Sequence, residues 1–232
     1  MNNLYVRDWE AIRQRMEDWW HGCNTERPIL SIEVNKKNLC GDAIRDGWAA
    51  SSSGTVDINK MKKNEAEMSG AEAKRYWTDF DVLMQRNRLL FDQRYYTAET
   101  YPKFAPNIGV GSLALFLGCE PEFTKDTIWY KPALSDPETD KLILDTSNQW
   151  LQWSLQMMKK AKSAAGGEFL VGIPDLVENL DILGPLYDTQ ELMFHMMDYP
   201  EEIHRLQRQL LDIWFEVYKM HYDILMTICQ IA

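Results

Sequence analysis

Apolar positions recur along this chain at two spacings, and the alternation between them predicts the elements. From Val6 to Trp20, the residues Trp9, Ile12, Met16, Trp19 and Trp20 return at helical spacing, with Asp8 and Glu10 in the first turn where a helix favours negative charge. The pattern ends near Gly22. Glu26-Arg27-Pro28-Ile29-Leu30-Ser31-Ile32-Glu33-Val34 is a short β-branched run after a proline and predicts a first strand, with Glu33 and Asn35 at its polar carboxyl end. Periodicity then fails, and the small-residue run around Gly47 to Gly54 predicts a long loop or insert over 36–70. Ala71 to Tyr95 predicts one helix with a stripe that includes Trp77, Phe80, Leu83, Met84, Leu90 and Phe91. Phe104 to Gly111 predicts a strand entering a glycine turn, then a short apolar helix from Ser112 to Leu117 ended by Gly118. Glu122-Phe123 and Thr127 to Tyr130 predict a hairpin around Lys125-Asp126, and Asp145 to Ala164 returns to helix.

The stretch Gly166 to Leu176 organises the rest. Paired glycines release the preceding helix, an apolar run follows, and Pro174-Asp175 stops it by denying the next ladder hydrogen bond. This predicts a buried parallel strand with Asp175 at its carboxyl end, the end at which α/β proteins bind ligands. Glu178, Asn179 and Asp181 crowd the same turn. Ile182-Leu183-Gly184-Pro185 predicts a short turn, and Asp188 with Glu191 resembles a capping box for a helix to about Met197. A last helix begins at Pro200, with Glu201 and Glu202 in its first turn and a stripe from Ile203 to Leu225.

Helices alternating with strands build a parallel sheet, because parallel pairs need crossovers. The expectation is an α/β chain with three core strands, about the first half of a (β/α)8 TIM barrel with long helices and an N-terminal helix. The whole of 1–232 is expected to be a single incomplete α/β-barrel domain and the N-terminal portion of a longer protein. The open barrel edge would then permit self-association. The 232 residues, 45% of them hydrophobic, suffice for a substantial core. A formal net charge of -10 with scattered Lys and Arg argues against a nucleic-acid face. Four separated cysteines, Cys23, Cys40, Cys119 and Cys229, fit reduced thiols better than a disulfide framework. The polar start and the lack of a long apolar run point to a cytoplasmic protein with no membrane partner.

Arg27-Pro28-Ile29-Leu30, then Pro106 to Glu120, Asp126-Thr127-Ile128-Trp129, Val171 to Leu176 and Asp198-Tyr199-Pro200-Glu201-Glu202 together resemble the uroporphyrinogen decarboxylase superfamily. The resemblance runs from about Trp9 to the end of the chain. It implies a TIM barrel and either a decarboxylase lyase or a methyltransferase that serves corrinoid proteins. Two departures matter. The decarboxylases of that family place arginines after the first strand, where this chain has Ile32-Glu33-Val34-Asn35, and they end the second strand in an aspartate, where this chain has Asn107-Ile108-Gly109. Porphyrinogen decarboxylation is therefore disfavoured, and a methyltransferase-like or related small-molecule enzyme is the implied branch. The zinc ligands of that branch, and any corrinoid partner, would belong to later barrel strands, so no metal or other cofactor is expected in this chain alone, which would then be inactive by itself.

The candidate catalytic residues are Asp175, as a hydrogen-bond or proton acceptor, and Asn107, as an orienting amide. Glu33, Asn35, Glu178 and Asn179 are candidate substrate-binding residues at strand ends. For Asp175 the alternative is a helix N-cap. His21, Cys23 and Cys40 have zinc-binding types, but their position on the amino-terminal side argues against a site. His195, His204 and His221 are expected to be structural. Two other functions remain open: a non-catalytic small-ligand-binding protein that uses some of the nine tryptophans as stacking surface, favoured by exposed tryptophans near Trp48 and Trp129, and an interaction module that completes a barrel with another chain.

Overall fold

The computed structural model describes residues 5–24, 27–36, 70–177 and 179–226. The expected loop over 36–70 lies almost wholly outside them, as does Glu178. In chain order the elements are α1 (Trp9–Trp20), β1 (Ser31–Asn35), α2 (Gly70–Thr78), α3 (Phe80–Asp92), β2 (Arg94–Ala98), β3 (Lys103–Phe104) and α4 (Ser112–Phe116). They continue as β4 (Glu120–Phe123), β5 (Ile128–Lys131), α5 (Gln149–Ala165), β6 (Leu170–Val171), α6 (Leu180–Tyr187), α7 (Thr189–Asp198) and α8 (Pro200–Met226). The class is mixed α/β, and the strands among the described residues form three two-stranded sheets, none of them closed. The chain divides into two compact units: Met1–Glu65, Asp81–Phe104 and Ala161–Gly172 make the first, and Ala66–Phe80, Ala105–Lys160 and Ile173–Ala232 the second.

In the first unit β1 pairs with β2 in antiparallel register, from Ser31 opposite Ala98 to Asn35 opposite Arg94, and every β1 residue is exposed. The buried parallel first strand expected from its sequence is thus an open antiparallel ribbon. The reason is visible in the residues: Ser31-Ile32-Glu33-Val34-Asn35 alternates polar and apolar, the signature of a one-sided antiparallel strand, whereas buried parallel strands read as nearly continuous apolar runs. The single helix expected over Ala71 to Tyr95 is two helices separated at Asp79, and its last residues are β2. Arg94-Tyr95-Tyr96-Thr97 alternates in burial and is rich in strand-forming aromatics, so pairing with β1 overrides the helical stripe before it. The strand expected at Phe104 and the one expected at Leu170 do pair in parallel, Lys103 with Leu170 and Phe104 with Val171.

Directly after β2, the carboxylate of Glu99 is enclosed by donors: Arg15 Nε at 2.7 Å, Arg27 at 2.6 and 2.7 Å, and the Leu30 backbone N–H at 3.1 Å. The Arg27 hydrogen bonds hold its pKa down at about 2, against burial, which pulls the other way. The carboxylate is sealed under two guanidinium groups that remain 31% and 41% exposed, so water screens the cluster. Glu99→Gln should therefore cost about 1–2 kcal/mol at neutral pH. The wild type's advantage is present above the usual carboxyl value of 4.5 and is lost as pH falls from there towards about 2, where the folded carboxylate protonates. Urea unfolding of both proteins across that window checks it; a constant difference down to pH 2 would show that the charge is not what stabilises.

The second unit contains the elements that carry the candidate chemistry. The expected hairpin is β4–β5, paired from Glu120 opposite Lys131 to Phe123 opposite Ile128, and its turn is closed by Thr124 Oγ1, which accepts from Thr127 N–H at 3.1 Å. Buried Trp77 of α2 donates its indole N–H to the Thr124 carbonyl at 2.7 Å. Asn148 caps α5 by accepting from the Trp150 and Leu151 N–H groups, so the helix expected from Asp145 begins a turn later. Ile182 to Pro185, expected as a turn, lies inside α6. Ile182, Leu183 and Leu186 are fully buried there, so tertiary packing retains a helix that Pro185 alone would break. Asp188 caps α7 by accepting from Gln190 N–H at 2.9 Å, as expected.

Candidate functional site

Asn107 follows shortly after β3 in the chain and Asp175 shortly after β6, and the second unit brings the two together. The Asn107 side-chain oxygen accepts from the Asp175 backbone N–H at 2.6 Å. Asp175 Oδ1 in turn accepts from Val177 N–H at 3.1 Å, which makes a local Asx turn. These two bonds fix the chemistry that is left over. Because Asn107 Oδ1 faces an N–H donor, its Nδ2 is the end that can donate elsewhere. Asp175 keeps its second oxygen as an acceptor, with no protein donor on it among the described residues. An amide donor and a carboxylate acceptor thus sit on adjoining turns, both half-buried.

The loop between them is shaped by backbone geometry. Gly109 and Gly111 have φ of 75° and 85°, in the left-handed region that favours glycine. A Cβ on Gly109 would lie 2.6 Å from the Tyr130 hydroxyl, which itself donates to the Ile108 carbonyl at 2.6 Å. Tyr130 therefore clamps the glycine loop onto the β4–β5 hairpin. Burial, with the Asp175 carboxylate adding to it, pushes its pKa well above the usual phenol value, so it remains a donor. Gly109→Ala should lose about 2 kcal/mol from strain and the displaced phenol. Gly109→Ala combined with Tyr130→Phe should recover part of that loss if the clash contributes, and a thermal melt of the pair distinguishes this from strain alone.

On the other side, Val177 has φ 37° and Asn179 φ 56°. A β-branched residue in that region is strained, and such strain gathers at functional turns. Val177 is held there by its carbonyl, which accepts the Trp214 indole N–H at 3.0 Å. Asn179 Oδ1 accepts from Gln207 Nε2 at 2.7 Å, and its carbonyl accepts from Ile182 and Leu183 N–H to open α6. So Asn179 is committed to the fold of the turn. Glu33 and Asn35 belong to the exposed ribbon of the first unit, where Glu33 forms an ion pair with Arg94.

Three participants escaped the sequence reading. Tyr130, Trp214 and Gln207 lie in ordinary strand and helix patterns, and only the fold shows which turn each secures. A fourth feature is a buried pair: Ser154 Oγ lies 2.9 Å from His221 Nε2, and His221 Nδ1 lies 2.7 Å from the Val217 carbonyl. Sequence order could not assemble it, and both residues are buried, at 1% and 0% exposure.

Comparison of the chain with protein-family models, with curated proteins and with solved structures finds no match. For zinc, no group of three or more His, Cys, Asp or Glu residues is arranged around a common point among the described residues. Cys23 is exposed, with its thiol directed to the His21 carbonyl at 3.6 Å, His21 Nδ1 is occupied by the Glu17 carbonyl at 2.8 Å, and Cys40 lies outside the described residues.

Proposed function

We propose that this chain carries part of the substrate site of a small-molecule enzyme of the uroporphyrinogen decarboxylase type, built on about the first half of a TIM barrel. One observation carries the reading: the 2.6 Å bond from Asp175 N–H to Asn107 Oδ1, which ties two strand ends and leaves a donor beside a carboxylate. In this proposal Asn107 Nδ2 binds a substrate carbonyl or carboxylate oxygen, and Asp175 accepts from a neighbouring hydroxyl or amine and takes its proton. The glycine loop, clamped by Tyr130, allows backbone to approach the ligand closely. A zinc ion or a corrinoid partner, if the whole protein uses one, would be served from residues other than these.

The substrate class that fits is a small polar molecule with a hydroxyl or amine next to a carbonyl. Saturation-transfer NMR with a panel of 2-hydroxy and 2-amino acids tests it. Binding by the wild type that is lost in Asn107→Ala is the expected result, and equal signals from both proteins would overturn the reading. A non-catalytic ligand-binding protein is the second reading, supported by Trp129, which is 64% exposed on β5. In that case Trp129→Ala would abolish binding while Asn107→Ala left it intact.

A further inference from the structure

Helix α8 carries two apolar stripes. Ile203, Leu206, Leu210, Ile213 and Val217 are buried and seat the helix on the second unit. Leu211, Phe215, Tyr218 and Tyr222 form another stripe and are 56%, 59%, 37% and 42% exposed. Their separations of four, three and four residues give the 3.5-residue period of a coiled-coil seam, which a scatter of single exposed residues would not keep. The seam is also ordered in advance. Trp214 stacks on Tyr218 with ring centres 5.2 Å apart and planes at 12°, and Tyr218 stacks on Tyr222 at 5.9 Å and 16°. The Trp214 indole bond to the Val177 carbonyl anchors the column at one end, so little side-chain entropy remains to be lost on docking.

The charges beside the seam select the partner. With Phe215 and Tyr222 at a, and Leu211 and Tyr218 at d, Asp212 and Lys219 both fall at e. In a parallel pair each e position meets the preceding g of the other helix, and the g positions that would face Asp212 and Lys219 are Gln207 and Trp214, neither of which offers a matching charge. In an antiparallel pair of identical helices, e meets e. Leu211 then layers against Tyr222 of the second copy, Phe215 against its Tyr218, and Asp212 lies beside its Lys219, twice in each pair. Lys219 already reaches Asp223 of its own helix at 2.7 Å, but both side chains are mostly exposed, and such a pair gives up the lysine readily.

We propose that a second copy of this chain docks on the Leu211–Tyr222 face of α8, antiparallel and about a two-fold axis, to form an isologous dimer. Sedimentation equilibrium of the 232-residue chain over a range of concentrations tests it. A monomer–dimer equilibrium is expected, weakened about a hundredfold by Phe215→Asp, as for a central aromatic anchor. Asp212→Lys or Lys219→Asp alone should weaken it about tenfold, and the double variant Asp212→Lys/Lys219→Asp should return to within about threefold of wild type, because the matched charges are restored. Far-UV circular dichroism confirms that α8 persists in each variant. A second measurement needs no variant: carbodiimide treatment of mixed isotopically light and heavy wild-type chains should join a light Asp212 peptide to a heavy Lys219 peptide. A wild type that stays monomeric, a dimer indifferent to Phe215→Asp, a double variant no better than the singles, or the absence of mixed-isotope peptides would overturn the proposal. A separate protein or a small aromatic ligand as the occupant of this face would give the first of these outcomes.

Discussion

On the reading proposed above, Asp175→Asn in the active protein should lower turnover by about 10²-fold or more while leaving stability close to wild type, since a general acid or base contributes about that much. The substitution isolates the charge. Asparagine keeps an oxygen at the position that accepts the Val177 N–H at 3.1 Å, so the Asx turn and the strained Val177 behind it survive. Asp175→Ala removes both the charge and the acceptor, and about 1 kcal/mol of stability should go with it, as for the loss of a cap. Asn107 permits the complementary separation. Asn107→Asp still accepts the Asp175 N–H but deletes the Nδ2 donor and puts a second carboxylate on the adjoining turn, whereas Asn107→Ala breaks the 2.6 Å bond as well. If the pair forms one site, Asn107→Asp should impair binding while the fold holds. Should Asp175→Asn and Asp175→Ala lose stability alike, with activity per folded molecule preserved, Asp175 serves the turn alone.

The elements that were legible in the sequence are those whose local pattern and tertiary setting agree. The parallel pairing of Leu170 and Val171 with Lys103 and Phe104 agrees with the strand expected there, but that strand is half-buried and stops at Val171, four residues before the Asp175 at which it was expected to end. The β4–β5 hairpin, the Asp188 cap and the span of α8 were legible for the same reason. Where the two levels conflict, packing won. The alternation in Ser31 to Asn35 was read as a core strand because β-branched content was weighed above period, and Pro185 was read as a turn although its neighbours are wholly buried. The candidate site was legible as residue types at strand ends but not as a network. No spacing announces that Asn107 would bond the backbone of Asp175, or that Tyr130 would meet Gly109, because both contacts join segments distant in the chain.

Phe116→Ala should destabilise the protein by about 3–5 kcal/mol, the range for removing a large buried aromatic. Phe116 is 1% exposed in α4, and its ring lies nearly parallel to the imidazole of His221, with centres 6.2 Å apart and planes at 14°. The loss should carry a pH signature as well. The Val217 carbonyl can only accept, so His221 Nδ1 holds the proton, and Nε2 is left to accept from the Ser154 hydroxyl. Burial keeps its pKa below the ordinary 6.5, which favours this neutral form. An unfolded chain binds a proton there at mildly acidic pH while the folded chain does not, so stability falls as pH drops below about 6.5. Emptying the Phe116 site admits water to the imidazole face and restores much of its solvation, which raises the folded pKa towards the unfolded value and flattens that slope. Urea unfolding at pH 7 and pH 5 should therefore show the variant far weaker than wild type at pH 7 and the gap narrower at pH 5. A gap that does not narrow on acidification would mean that the protonated histidine is tolerated in the wild-type core, and a loss below about 1 kcal/mol would mean that α4 does not pack against α8 as tightly as its burial requires.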